Sequence, residues 1–351
     1  MTSVHDPLSA LFTVRTALAA PRPVLAIAGN EQQAYRVEAE LRFFAGDRVP
    51  IVHLPDPETL PYDPFSPHQE LLSDRLAALH ALPALKRGIV LTTADALIQR
   101  LPPRAYLDAR SLTVKVGDRL DALAFRERLV AAGYASVSEV QTQGEFAIRG
   151  ALVDLFPMGS SDAYRIDLFD DEIESIRTFD PETQRSSDKV KSVRLLPARE
   201  FPTDREGIDT FRRRYREYFP GDPSRSRIYL EVSRGFMPAG IEAWLPLFFQ
   251  QTARLADYLP NEICIVALAD LDAALSHDWQ QIVERFERYR GDIERPLMRP
   301  TDLFLEPAAA IASLDGFERC PAPKAAPSSP GATGAEVKAF LASSSDRVLF
   351  V

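Results

Sequence analysis

The sequence predicts an α/β protein: a mainly parallel, helix-covered sheet interrupted by a small α+β domain with an antiparallel sheet. Two observations carry this. Short apolar runs alternate with helical patterns at both ends of the chain, the grammar of a covered parallel sheet. Between them the pattern changes to short strands joined by turn-rich links, the grammar of an antiparallel sheet.

In order, residues 8 to 20 read as a helix, VLAIA at 24–28 as a buried strand, and about 31–45 as the next helix. IVHLP at 51–55 is a second strand. Ser66 is expected to cap a helix with Pro67 at its first position and Gln69 completing a capping box, and Leu72, Leu76 and Leu79 recur at helical spacing. GIVLTT at 88–93 is a strand followed by a short helix. After about residue 115 comes one short helix at 125–133. FAIRGALVDLFP, AYRIDLF and SIRTFD follow, separated by PMGSSD, DDEIE and DPETQ, and KSVRLLPA at 191–198 adds a strand. Thr203 is expected to cap a helix carrying Ile208, Phe211 and Tyr215. EICIVALADL supplies a strand and DWQQIVERFERYR a helix, and CPAPKAAPSSPGATG reads as a linker. The expected division is therefore 1–115 and 201–318 for the two α/β parts, 116–200 for the insert, 319–334 for the linker and 335–351 for the truncated start of a further domain.

The 351 residues suffice for two or three domains, and a hydrophobic fraction of 46% is ordinary for a folded chain. A net charge of −9 argues against coating nucleic acid by bulk charge. No apolar run reaches membrane-span length, and the N-terminus does not read as a signal peptide. Two cysteines are too few for a disulfide framework or a Cys-based zinc site; Cys264 reads as a buried small hydrophobe, and a reducing cytoplasm fits.

Gly29, Asn30, Glu31, Gln32 and Gln33 occupy the place of a phosphate loop between strand and helix. Such a loop needs glycines for backbone amides, Lys for phosphate charge and Ser/Thr for magnesium. One glycine survives, and Arg36 is misplaced for the lysine's role, so ATP hydrolysis is not expected. The carboxylates Asp170, Asp171 and Glu172 fall at a hairpin turn and read as solvated rather than metal-binding. FRRRYREYF at 211–219 offers a DNA-contact reading, but its spacing equally gives an amphipathic helix with Phe211 and Tyr215 inward, and the acidic flanks favour that.

The strand 163–169 is the most informative element. Alternation puts Tyr164, Ile166 and Leu168 on a core face, and Arg165, Asp167 and Phe169 on the other. An exposed Phe beside Arg has the composition of a binding hot spot. With residues 146–156 as the neighbouring strand, Arg149 falls roughly opposite 169–171, and the expected register joins it to Arg165 and Phe169 on one exposed face. Residues 141–180 hold three arginines against nine Asp and Glu, so a protein partner suits this surface better than DNA.

The stretches ETLPYDPFSPHQELLSDRL, RGALVDLFPMGS, YRIDLFDDEIESIRTFD, LLPAREFPTD and PAGIEAWLPLFF closely resemble the N-terminal part of bacterial transcription-repair coupling factors, over about residues 10–318. The resemblance implies a degenerate RecA-like module similar to the helicase subunit UvrB, its nucleotide motif decayed. The link from Leu60 to Ser66 is too short for the UvrB hairpin that grips damaged DNA. By motif position it puts the family's UvrA-contacting residues on Arg149, Arg165 and Phe169, a face that a C-terminal domain covers in the intact family member. It further implies a monomeric, cytoplasmic bacterial adaptor without a cofactor of its own. The family's ATP- and magnesium-dependent motor, and its contacts with RNA polymerase and double-stranded DNA, belong to other regions. The competing readings are a UvrB-like ATP-dependent helicase and a DNA-binding module using FRRRYREYF.

Overall fold

The computed structural model describes residues 8–19 and 22–320. The chain opens with α1 (Leu8–Ala19), β1 (Val24–Ala28), α2 (Glu31–Ala45), β2 (Ile51–His53), α3 (Gln69–Ala81), β3 (Ile89–Thr93), α4 (Ala94–Ile98) and α5 (Arg104–Arg110). The insert follows: β4 (Leu112–Lys115), α6 (Ala122–Ala131), β5 (Ala135–Ser136), β6 (Glu145–Arg149), β7 (Leu152–Phe156), β8 (Ala163–Phe169), β9 (Glu172–Phe179), β10 (Ser186–Val190) and β11 (Ser192–Leu195). Then come α7 (Arg205–Tyr218), α8 (Arg227–Ser233), β12 (Cys264–Ala267), α9 (Leu271–Tyr289), α10 (Pro300–Leu303), α11 (Pro307–Ala312) and β13 (Glu318–Arg319).

The first sheet is parallel, in the order β13-β12-β1-β3-β2. Every residue of β1 is buried because helices cover both faces. Val24, Ala26 and Ala28 pack with Val14 of α1 and Val37, Leu41 and Phe44 of α2, while Leu25 and Ile27 join the core on the opposite face with Leu97 and Leu275.

The chain enters the insert through β4 and leaves through β11, which pair antiparallel with Leu112 opposite Leu195. The strand expected at 191–198 is thus the partner of the entry strand rather than a member of the larger sheet. That larger sheet runs β10-β9-β8-β7-β6-β5, antiparallel except for the parallel pair β5–β6. Its Val153, Ile166, Ile173 and Ile176 pack with Phe125 and Leu129 of α6 in the same apolar cluster as the parallel sheet's inner face. Gly159 N donates to Ser73 Oγ at 2.8 Å, which fastens the β7–β8 link to α3.

Two helix starts differ from expectation. α3 begins at Gln69, because Ser66 instead spans to the 240s: its hydroxyl donates to Glu242 Oε2 at 2.8 Å and accepts from Gly240 N at 3.0 Å. The cap of α7 is Asp204, whose carboxylate accepts from Gly207 N at 2.9 Å; the shorter Thr203 hydroxyl does not take this role. Phe211 and Tyr215 are buried as expected, against Phe201, Trp244 and Phe248. Arg205 and Arg212 lie near Asp209, and Arg216 donates to Tyr229 Oη at 2.9 Å.

Cys264 is buried on β12 but is not a free thiol: it is joined to Cys320 by a disulfide. Arg319, expected in the linker, closes β13. The remainder of the expected linker, 321–334, and the helix and strand expected within 335–351 lie outside the described residues. Among the described residues no helix is long and apolar enough to cross a membrane.

Candidate functional site: a filled phosphate loop and an outward-facing sheet

Gly29 and Asn30 follow β1 directly, where the helix start would present amides to a phosphate. Here side chains of the same loop take that role. Asn30 Oδ1 accepts from Gln33 N at 2.9 Å. Gln33 turns back, its Oε1 accepting from Gly29 N at 2.8 Å and its Nε2 donating to Leu268 O beyond β12 at 2.9 Å. Arg36 points its Nε at Gln32 O of its own helix, 3.2 Å away.

The recess around this loop is acidic. Glu31, Asp56, Glu58, Asp95, Asp270 and Asp278 line it, from α2, the segment after β2, α4 and the start of α9. Burial pushes Glu31 up to about 7, with His53 opposing the shift. Burial, then the neighbouring Asp278, pushes Asp95 up to about 7; Asp278 itself is raised to about 6, again chiefly by burial. Asp278 Oδ2 is buried without a hydrogen-bond partner, and both carboxyl groups hold a proton more tightly than free aspartates do. A phosphate entering here would meet carboxylates in place of a lysine. None of these acids was legible as a group in the sequence, since they come from four separated segments.

The second site is the outer face of the insert sheet. The Gly150-Ala151 turn makes 145–156 two strands, not one, with Arg149 paired to Leu152; Gly150 takes φ +61° at the first turn position, where glycine fits best. Leu152 in turn pairs with Asp167. Arg149 therefore sits one strand further from β8 than the sequence suggested, and level with Asp167 rather than with 169–171. Residues paired directly across strands point to the same face, so Arg149, Leu152 and Asp167 share one face, and Arg165, two residues along β8 from Asp167, lies on it too. The extra residue between the Asp167–Ser175 and Leu168–Ile173 pairs belongs to β9, so β8 keeps its alternation and Phe169 shares that face.

The three residues are exposed very differently. Phe169 is 70% exposed beside the turn residues Asp170 and Asp171. The Arg149 side chain is 46% exposed, but Arg165 only 14%. Arg165 was expected to stand free; instead its guanidinium lies 4.9 Å over the Phe179 ring and is bound on every nitrogen. Nε donates to Asp154 Oδ1 at 2.7 Å, the second terminal nitrogen to Asp154 Oδ2 at 2.9 Å, and the first to Gln184 O at 3.1 Å and Ser186 Oγ at 3.2 Å. Arg149 also donates to Asp154 Oδ2, and to Ser138 O at 3.1 Å. Asp154 is 1% exposed and lies between the two arginines. Its sequence signal was faint: one acid at an alternate position of the apolar run LVDLF. Next to this group, Asp167 Oδ2 accepts from Ser175 Oγ and from Arg177, each at 2.6 Å. Arg149, Leu152, Asp167, Ser175, Arg177 and Lys189 line one shallow groove.

The acidic turn Asp170-Asp171-Glu172 forms no metal cluster: among the described residues only Cys264, Glu318 and Cys320 bring such donor atoms together, and the two sulfurs are bonded to each other.

Comparison with known proteins gives both sites a family. Residues 112–201 match the model of the UvrB interaction domain. The transcription-repair-coupling factor of Escherichia coli K12 is 42% identical over 298 residues, 85% of this chain and 26% of that protein. The Haemophilus influenzae protein of the same name is 49% identical over 267 residues, 76% of this chain and 23% of its own length. The Myxococcus xanthus one is 32% identical over 285 residues, 78% of this chain and 24% of its own. The chain thus spans about a quarter of the length of the curated relatives it matches. It belongs to the transcription-repair-coupling factor family, as the UvrB-like region that carries the interaction domain.

Proposed function

We propose that this chain is a non-catalytic adaptor that recruits UvrA, and through it the nucleotide excision repair machinery, to lesions that block transcription. The insert, expected at residues 116–200 and entered through β4 at Leu112, is the docking domain, flanked by the α/β parts expected at 1–115 and 201–318. The observation that carries the reading is Phe169, a large aromatic standing in solvent on the same outer face of the matched domain as Arg149 and Arg165. Aromatic and arginine side chains dominate binding hot spots, and a guanidinium makes charge-assisted hydrogen bonds to acidic groups of a partner.

The module itself takes no nucleotide. Gln33 and Asn30 use the loop amides for their own hydrogen bonds, and the recess around them is lined by carboxylates. The same observations count against a UvrB-like helicase reading of this chain. ATP and magnesium, RNA polymerase and double-stranded DNA are assigned to other regions of the whole protein, which acts in the bacterial cytoplasm; the chain itself is a monomer.

The test is a titration of UvrA with the chain, with Phe169→Ala and with Arg149→Ala, each variant checked for folding. Binding by the parent and its loss in folded variants supports the adaptor and its face together. Equal binding by all three moves the docking face elsewhere, and no binding by the parent removes the recruitment role from this chain.

A further inference from the structure

We infer that Asp154 and Arg165 are positioning residues, which act on the partner through Arg149 rather than by touching it. The inference rests on the docking reading above and divides its residues by role.

Every nitrogen of Arg165 is already engaged inside the chain, and the ring of Phe179 covers one face of its guanidinium. Reaching a partner would require breaking contacts to a carboxylate from which water is excluded, where such pairs are costly to separate. Arg149 differs. Its side chain is 46% exposed, and two of its nitrogens are engaged, one by Ser138 O and one by Asp154. It keeps donors directed to solvent.

Asp154 couples the two. Arg165 grips both of its oxygens in the side-by-side geometry that a guanidinium and a carboxylate share. One of those oxygens, Oδ2, also receives Arg149. A buried anion with a fixed orientation therefore holds a long, half-exposed side chain that would otherwise sample many rotamers. Immobilising such a side chain costs binding free energy, and a site that has already ordered it binds more tightly for the same contacts. Asp154 also faces Ala147 and Arg165 across its paired strands. Of the other charged groups on this side of the sheet, Asp167 and Arg177 are bound to each other, Glu145 accepts from Gln141 N and Thr142 N, Glu172 is paired with Phe169, and Glu174 and Lys189 line the same groove as Arg149. Among the described residues, Asp154 is the carboxylate that pairs with Arg149.

The experiment uses Asp154→Asn, Arg165→Lys, Arg149→Ala and the double variant Arg149→Ala/Asp154→Asn in the full chain, each verified by thermal unfolding. Two quantities are read: affinity for UvrA, and the order of the Arg149 guanidinium from nitrogen-15 relaxation and hydrogen exchange of its Nε–H without UvrA. Asp154→Asn keeps the shape but not the charge, and Arg165→Lys keeps the charge but not the fork. Both are expected to free the Arg149 side chain and to weaken UvrA binding about tenfold, while Asp154→Asn adds almost nothing once Arg149 is alanine. Unchanged order of Arg149, unchanged affinity in Asp154→Asn, or losses that simply add in the double variant overturn the inference and leave the docking reading intact. A parent chain that does not bind UvrA overturns both.

Discussion

Arg75 Nε meets Glu200 Oε1 at 3.1 Å, joining α3 to the last residue of the insert, with both side chains almost entirely out of water. Arg75 also donates to Pro55 O at 2.6 Å and to Gln99 Oε1 at 3.0 Å, so one guanidinium ties together the segment after β2, the end of α4 and the exit of the insert. Removing one partner of such a pair leaves the other charge buried and uncompensated. Arg75→Ala is expected to destabilise the chain by about 3–5 kcal/mol in denaturant unfolding. Arg75→Met together with Glu200→Gln should recover much of that loss; a double variant as unstable as the single one would contradict this account.

Asp95 and Asp278 make the recess pH-sensitive. Both are raised relative to free aspartate, to about 7 and about 6. A carboxyl raised on folding contributes stability that is full below its unfolded pKa, near 3.8, and is lost as pH climbs through the folded value. Stability from this pair should therefore decline between about pH 4 and pH 7. Asp95→Asn removes the ionisation while keeping the shape of the side chain. It should stabilise the chain at pH 8 by on the order of 1–2 kcal/mol and do little at pH 4, as read from urea midpoints at the two pH values. Parallel pH profiles for parent and variant would count against it.

Phe169 packs against little of its own chain, so its loss should not unfold the protein. Phe169→Ala is expected to leave the denaturation midpoint within about 0.5 kcal/mol of the parent and to weaken UvrA binding by about 2 kcal/mol, roughly thirtyfold. Calorimetric titration beside thermal unfolding separates the two effects.

Gly159 marks the seam between insert and parallel sheet. Its φ is +77°, and a Cβ there would stand 2.8 Å from Leu196 Cδ1 and 3.3 Å from Ala77 Cβ. Gly159→Ala adds backbone strain to a clash on both sides of the seam and should cost about 2 kcal/mol in unfolding free energy. Gly150 has φ +61° with nothing near its Cβ, so Gly150→Ala should cost less. Equal losses at the two sites would mean that strain alone decides.

The sequence by itself determined the order of the main strands and helices of the α/β parts, the change of grammar at the insert, the missing phosphate chemistry after β1 and the alternation of β8, because each depends on residues a few positions apart. VLAIA could only be a strand covered on both faces, and Phe169 had to oppose Leu168. What the tertiary structure decided depends on residues brought together from a distance. Ser66 left its expected cap because Glu242 and Gly240 lie within its reach. Cys264 found Cys320 across paired strands. The carboxylates of the recess meet only because four segments converge. Arg165 is sheltered rather than free because the Gly150 turn creates β7 and sets Asp154 beside it. Local pattern encodes which way a side chain faces, but only packing determines what it meets there.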